Sequence, residues 1–92
     1  VDTVNLYKEL LSRFGIEKQT LMLAEEQGEL IKAINKKLRG KGDRLSIVEE
    51  MADVVIMLQQ IAQFFDIDKE EVNLIVNKKL KRTEERLAKG EV

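Results

Sequence analysis

The sequence predicts an all-α fold, a four-helix bundle-like domain, and three observations carry that expectation. Apolar residues recur at three- and four-residue intervals along most of the chain, with no period-two alternation to mark a strand. The composition is 36% charged, 43% hydrophobic and 4% aromatic with no proline, which suits long amphipathic helices. The periodic segments are separated by glycines and by Ser or Asp positions suited to helix capping. Residues 1–92 are expected to form one domain, and a domain of that size buries a modest share of its surface, so its own core is thin.

The first helix is expected from Thr3 to Phe14, where Leu6, Leu10, Leu11 and Phe14 share helical spacing and Gly15 provides the stop. The second is expected from Glu17 to Arg39, with Leu23, Leu30, Ile34 and Leu38 as its stripe and Gly40 after it. Gly40-Lys41-Gly42-Asp43-Arg44 reads as a flexible loop. The third helix is expected to start with Ser46 as N-cap and Glu49 in the capping-box position, and to run to Phe65. Between Met51 and Leu58 it is apolar on nearly every side, the mark of a buried helix. Asp68 is expected to cap the fourth helix, with Glu71 in the box position, and that helix should reach Lys89, before Gly90. Val72, Leu74, Ile75, Val76 and Leu80 lie in its first half, and charge dominates its end. Short connections favour antiparallel neighbours. The third helix has more apolar faces than one small domain can cover, so a homodimer or homotetramer is expected.

Composition also excludes chemistry. With no Cys and no His there can be no disulfide, no thiolate or imidazole metal site and no His-activated nucleophile. Carboxylates, Lys, Arg and the backbone must do the work. A net charge of -1 offers no overall basic field for nucleic acid. The most apolar stretch, Met51 to Phe65, carries Asp53 and three glutamines and is too short and too polar to span a membrane. Nothing reads as a signal peptide, so a cytoplasmic protein without membrane partners is expected, and because the chain begins at Val1 a residue or two is expected to precede it.

Two acidic pairs stand out. Glu26 and Glu29 are three apart on the second helix and therefore share a face, and Glu50 and Asp53 repeat that spacing on the third. Like charges at this spacing destabilise an isolated helix by a few tenths of a kcal/mol. A hard divalent cation held between the helices would remove that penalty, since Mg²⁺ takes carboxylate oxygens. Asp53 lies in Met51-Ala52-Asp53-Val54-Val55-Ile56-Met57-Leu58, where burial is expected and an unpaired carboxylate would cost several kcal/mol. Plainer readings exist. Glu25 and Glu26 could be surface charges near Lys32, Lys36 and Lys37, Glu49 a capping residue, and Asp53 the partner of a Lys or Arg on the second or fourth helix. Two same-face acidic pairs on consecutive helices favour metal binding over coincidence.

These residues resemble the MazG-like, all-α nucleoside-triphosphate pyrophosphohydrolase family, whose signature is Glu-Glu-x-x-Glu followed on the next helix by Glu-x-x-Asp. Here it reads Glu25-Glu26-Gln27-Gly28-Glu29 and Glu50-Met51-Ala52-Asp53, with twenty residues between Glu29 and Glu50. Glu-x-Gly-Glu-Leu at Glu26 to Leu30 and the apolar run after Asp53 also look like the family, and the similarity extends from Leu21 to Arg86. The resemblance implies that Glu26, Glu29, Glu50 and Asp53 are Mg²⁺ ligands, with Mn²⁺ able to substitute. It implies that Glu25 assists the metal or orients the attacking water. The implied reaction is hydrolysis of the α–β bond of a nucleoside triphosphate, giving a monophosphate and pyrophosphate, with nucleotide-pool cleaning as its role.

Phosphates need cations, and Lys79, Arg82 and Arg86 fall close to one face of the fourth helix. Relatives show a Lys, then an Asn, then an Arg near this point; Lys79 and Arg86 match, but Thr83 stands where the Asn is expected. Lys36, Lys37, Arg39, Lys41 and Arg44 could also reach phosphates or simply keep the loop soluble. Tyr7, Phe14, Phe64 and Phe65 are the available aromatics, and the spacing of Tyr7 and Phe14 suits core packing better than base stacking. Three rival functions exist. An interaction module would tie its acids into salt bridges with the fourth helix. A di-metal redox bundle would need Glu-x-x-His. A nucleic-acid binder would need an aromatic platform, which is missing.

Overall fold

The computed structural model describes residues 1–91 and consists of four helices: α1 (Thr3–Phe14), α2 (Ile16–Leu38), α3 (Arg44–Phe64) and α4 (Lys69–Ala88). Among the described residues there is no strand. The fold is all-α, as the periodicity predicts.

Local chemistry sets the boundaries. The Asp2 carboxylate caps α1, accepting from the Asn5 backbone N–H at 3.1 Å and from the Asn5 amide at 2.7 Å. Gly15 ends α1 with φ 85°, a conformation that side-chain-bearing residues rarely adopt, and its N–H donates to the Leu11 carbonyl at 2.9 Å. α2 begins at the next residue, so one glycine forms the whole connection.

The start of α3 corrects an expectation. Asp43, not Ser46, is the N-cap, and its carboxylate accepts from the Ser46 backbone N–H at 2.7 Å. Aspartate caps as well as serine does, and it is reached first along the chain, so Ser46 lies one turn inside and the box with Glu49 does not form. Hydrogen bonds from the Ser46 backbone and side chain, aided by Lys37, hold the exposed Asp43 carboxyl below its ordinary value. At α4 the expected cap is present: Glu71 accepts from the Asp68 backbone N–H at 2.8 Å.

α2 and α3 form the main packed pair, and α1 lies against both. The three glutamines that make α3 unsuited to a membrane are its tertiary ties. The buried Tyr7 hydroxyl donates to Gln59 at 2.6 Å, and the Gln63 amide donates to the Val4 carbonyl at 2.9 Å. Gln19 and Gln60, both buried, meet across α2 and α3 through a 2.8 Å bond from the Gln19 amide. Among the described residues no buried side-chain polar atom lacks a partner.

α4 makes no close backbone approach to the other helices. The radius of gyration is 16.6 Å, against about 12 Å for a compact chain of this length. Large apolar side chains consequently stay uncovered, including Val55 (48% exposed) and Leu58 (49%) on α3, and Leu74 (58%) and Leu80 (61%) on α4. The all-round burial expected for α3 is met only on the side of Met57 and Gln60, because α1 and α2 are the helices that reach it. No helix is long and apolar enough to cross a membrane.

The Gln19–Gln60 pair yields a stability test. Gln60→Leu strands a buried amide and should lower the unfolding free energy by roughly 1–3 kcal/mol, whereas Gln19→Leu with Gln60→Leu should recover most of that loss. Denaturant melts of the two variants check this. A double variant as weak as the single one would show that the hydrogen bond is not the tie.

Candidate metal centre

The seam between α2 and α3 brings the two acidic pairs face to face. Glu26 from α2 and Glu50 and Asp53 from α3 each offer a carboxylate oxygen, and the three oxygens lie within 4.8 Å of one another. Glu26 and Glu50 are half-buried and Asp53 is exposed. Exposure of Asp53 removes the desolvation argument for it in the single chain, because its flank of α3 is left open. Its position in the cluster is what singles it out.

The cluster is electrostatically unsatisfied. The Glu26 carboxyl is raised above its ordinary value, first by partial desolvation between the helices. Asp53 adds repulsion and a hydrogen bond that requires a proton, and Glu50 and Glu25 add further negative charge. No cation offsets this: among the described residues the one ion pair is Arg13–Glu9 at 3.5 Å, on α1. The alternative of Asp53 in a salt bridge with α2 or α4 is therefore not realised.

The other expected residues occupy different places. Glu29 stands beyond the trio and, with Glu50, lines a cleft of about 180 Å³ shared with Lys32, Ala33, Lys36, Gly42 and Ser46. Glu25 is exposed and touches the site through its charge on Glu26. Lys79, Arg82 and Arg86 lie on α4, which contributes nothing to that cleft. Lys79 instead edges a shallow apolar surface with Ile67, Val72, Ile75 and Val76. Tyr7 is buried, as core packing predicts, whereas Phe14 is exposed beneath the Lys18 ammonium, 5.0 Å from its ring centre. Lys32 in the cleft was legible only as a surface charge. The signal that finds its neighbour Lys36 is helical register, since Glu26, Glu29, Ala33 and Lys36 follow one face of α2.

Three converging carboxylates with no nitrogen or sulfur donor fit a hard divalent cation of the Mg²⁺ type. The raised Glu26 value carries a sign. A carboxyl whose folded value is raised favours folding most below its unfolded value and loses that contribution as pH rises through the folded value. Ionised Glu26 thus costs stability at neutral pH when no metal is present. In EDTA, Glu26→Gln should melt at or above the wild-type temperature at neutral pH, with the gap closing in acid. A lower melting temperature at neutral pH would contradict the repulsion.

The family model for the MazG nucleotide pyrophosphohydrolase domain matches residues 14–87, from the end of α1 through nearly all of α4. No curated protein and no solved structure gives a significant match. The match spans most of the chain and both acidic pairs, and on that ground the chain belongs to the MazG nucleotide pyrophosphohydrolase domain family.

Proposed function

We propose that this chain is a Mg²⁺-dependent nucleoside-triphosphate pyrophosphohydrolase, cleaving the α–β bond of ribo- or deoxyribonucleoside triphosphates to a monophosphate and pyrophosphate. The convergence of Glu26, Glu50 and Asp53 from facing helices, in a chain of this family, carries the reading. Glu26, Glu50 and Asp53 would hold the metal, with Glu29 joining from the next turn of α2. Mg²⁺ held there would neutralise phosphate charge and lower the pKa of a coordinated water. Glu25 would orient the attacking water from the solvent side of the cluster. Lys79, Arg82 and Arg86 would neutralise phosphate oxygens. The substrate would be a free nucleotide, and the role cleaning of the cytoplasmic nucleotide pool, with Mn²⁺ able to replace Mg²⁺.

Homodimers or homotetramers belong to the same proposal. Exposed Val55, Leu58, Leu74 and Leu80 form apolar surface of the kind that drives association, at about 25 cal/mol per Å² buried. A second copy covering α3 and α4 would also supply the setting in which cations of α4 meet a nucleotide, since α4 stands off the seam in its own chain.

The deciding assay is pyrophosphate release from a panel of standard, deoxy and modified nucleoside triphosphates, in Mg²⁺ and in EDTA. Release should require the metal, and Glu50→Gln or Asp53→Asn should lower it by about 100-fold or more, as loss of several kcal/mol of transition-state stabilisation demands. Full activity in either variant would remove the carboxylates from the site. Sedimentation at micromolar concentration should give a dimer or tetramer; a monomer would end the assembly proposal.

A further inference from the structure

We infer that Lys32 and Lys36 form the subsite for the phosphate tail that leaves as pyrophosphate, an inference resting on the hydrolysis proposed above. The α2–α3 seam changes character along its length. Along α2 it runs Glu26, Glu29, Ala33, Lys36, and the facing side runs Asp53, Glu50, Ser46, Gly42. Toward one end lie Glu26 and Asp53, and toward the loop Lys32 and Lys36 line a cleft together with Glu29 and Glu50. The small side chains of Ala33 and Ser46, with Gly42, leave the cleft of about 180 Å³ between them.

Gly42 lines this cleft from the loop side. Its N–H donates to the Lys36 carbonyl at 3.2 Å, and the Lys41 N–H donates to the same oxygen at 2.9 Å. A Cβ at residue 42 would lie 3.1 Å from the Lys36 Cβ and 3.2 Å from the Lys37 backbone nitrogen. A side chain at residue 42 would crowd the end of α2, so glycine eases the close approach that sets the start of α3 beside Lys36.

Lys32 and Lys36 are four apart and share a helical face. Among the described residues neither makes an ion pair, although Glu29 lines the same cleft. Their ammonium groups are free to donate to an incoming anion. A triphosphate tail carries more negative charge than one cation at the trio can offset, and a lysine ammonium is a point charge suited to phosphate oxygens. No aromatic side chain lines the cleft, so it is not built to stack a base. The carboxylate trio would then hold the metal beside the scissile bond while Lys32 and Lys36 receive the distal phosphates.

The test titrates inorganic pyrophosphate into the full chain in excess Mg²⁺ by calorimetry, alongside steady-state hydrolysis. Wild type should bind pyrophosphate, and Lys32→Ala with Lys36→Ala should weaken binding by about tenfold or more, the worth of one or two charged hydrogen bonds. KM for the triphosphate should rise more than kcat falls. Lys32→Arg with Lys36→Arg should restore binding, and Lys8→Ala with Lys18→Ala, which makes the same charge change elsewhere, should leave it unaltered. Melting curves confirm that the variants fold, and the single changes Lys32→Gln and Lys36→Gln repeat the test with smaller perturbation. Undiminished pyrophosphate binding in the Ala pair, equal weakening in the Lys8 and Lys18 control, or no binding by wild type would overturn the subsite. Hydrolysis by wild type with undiminished binding in the Ala pair would sink this inference alone. Lysine-dependent binding of pyrophosphate without any hydrolysis would uphold the subsite and sink the reaction.

Discussion

The convergence of Glu26, Glu50 and Asp53 at the α2–α3 seam is the constraint on which the reading of the site depends. Three carboxylate oxygens within 4.8 Å, with no cation paired to them, raise the free energy of the folded chain. The α2–α3 pair is tied on either side of the cluster. On one side the ties lie further along α3, where Gln60 meets Gln19, Gln59 meets Tyr7 and Gln63 meets the start of α1. At the opposite end, Gly42 and the Asp43 cap fix the loop. The acidic cluster lies between these two anchored regions. It is strained by charge while its backbone is regular helix.

Much of this was legible in the sequence because helix period and cap chemistry are local. Thr3 to Phe14, the stop at Gly15 and the Asp68–Glu71 cap needed no tertiary information. The start of α3 was harder to place because Asp43 and Ser46 are both competent caps, and Asp43, reached first along the chain, takes the role. The carboxylate trio was legible because i, i+3 spacing on two helices joined by a short loop leaves few ways for the pairs to miss each other. Glu29 lies one turn along α2 from Glu26 and lines the adjoining cleft with Glu50, a placement that spacing alone does not specify.

Burial was the least legible property. An apolar run such as Met51 to Leu58 reveals that the helix wants cover and is silent about where the cover comes from. In the single chain, α1 and α2 cover one side, and α4 stands away. Asp53 is exposed for that reason, and its chemistry follows from its neighbours instead of from desolvation. The polar character of the core has the same origin. With so few aromatics, the chain joins its helices through glutamine amides, each of which must find a partner, and each does.

Stability and cation binding are coupled in such a design. A cation that bound the folded trio and not the unfolded chain would stabilise the fold by RT ln(1 + [L]/Kd) and would offset the charge that raises the Glu26 carboxyl. A small domain with a thin core has little stability to spare. Under the proposed function, substitutions that neutralise the trio should therefore separate two properties that usually fall together in core mutants, leaving the metal-free fold intact while removing the stabilisation that a cation would confer. Lys32 and Lys36 obey the opposite logic: their charges are separated by one helical turn and open to solvent, so they cost the fold little. The trio and the lysines share one pair of helices, and the adjoining cleft is where a metal-bound phosphate would meet both.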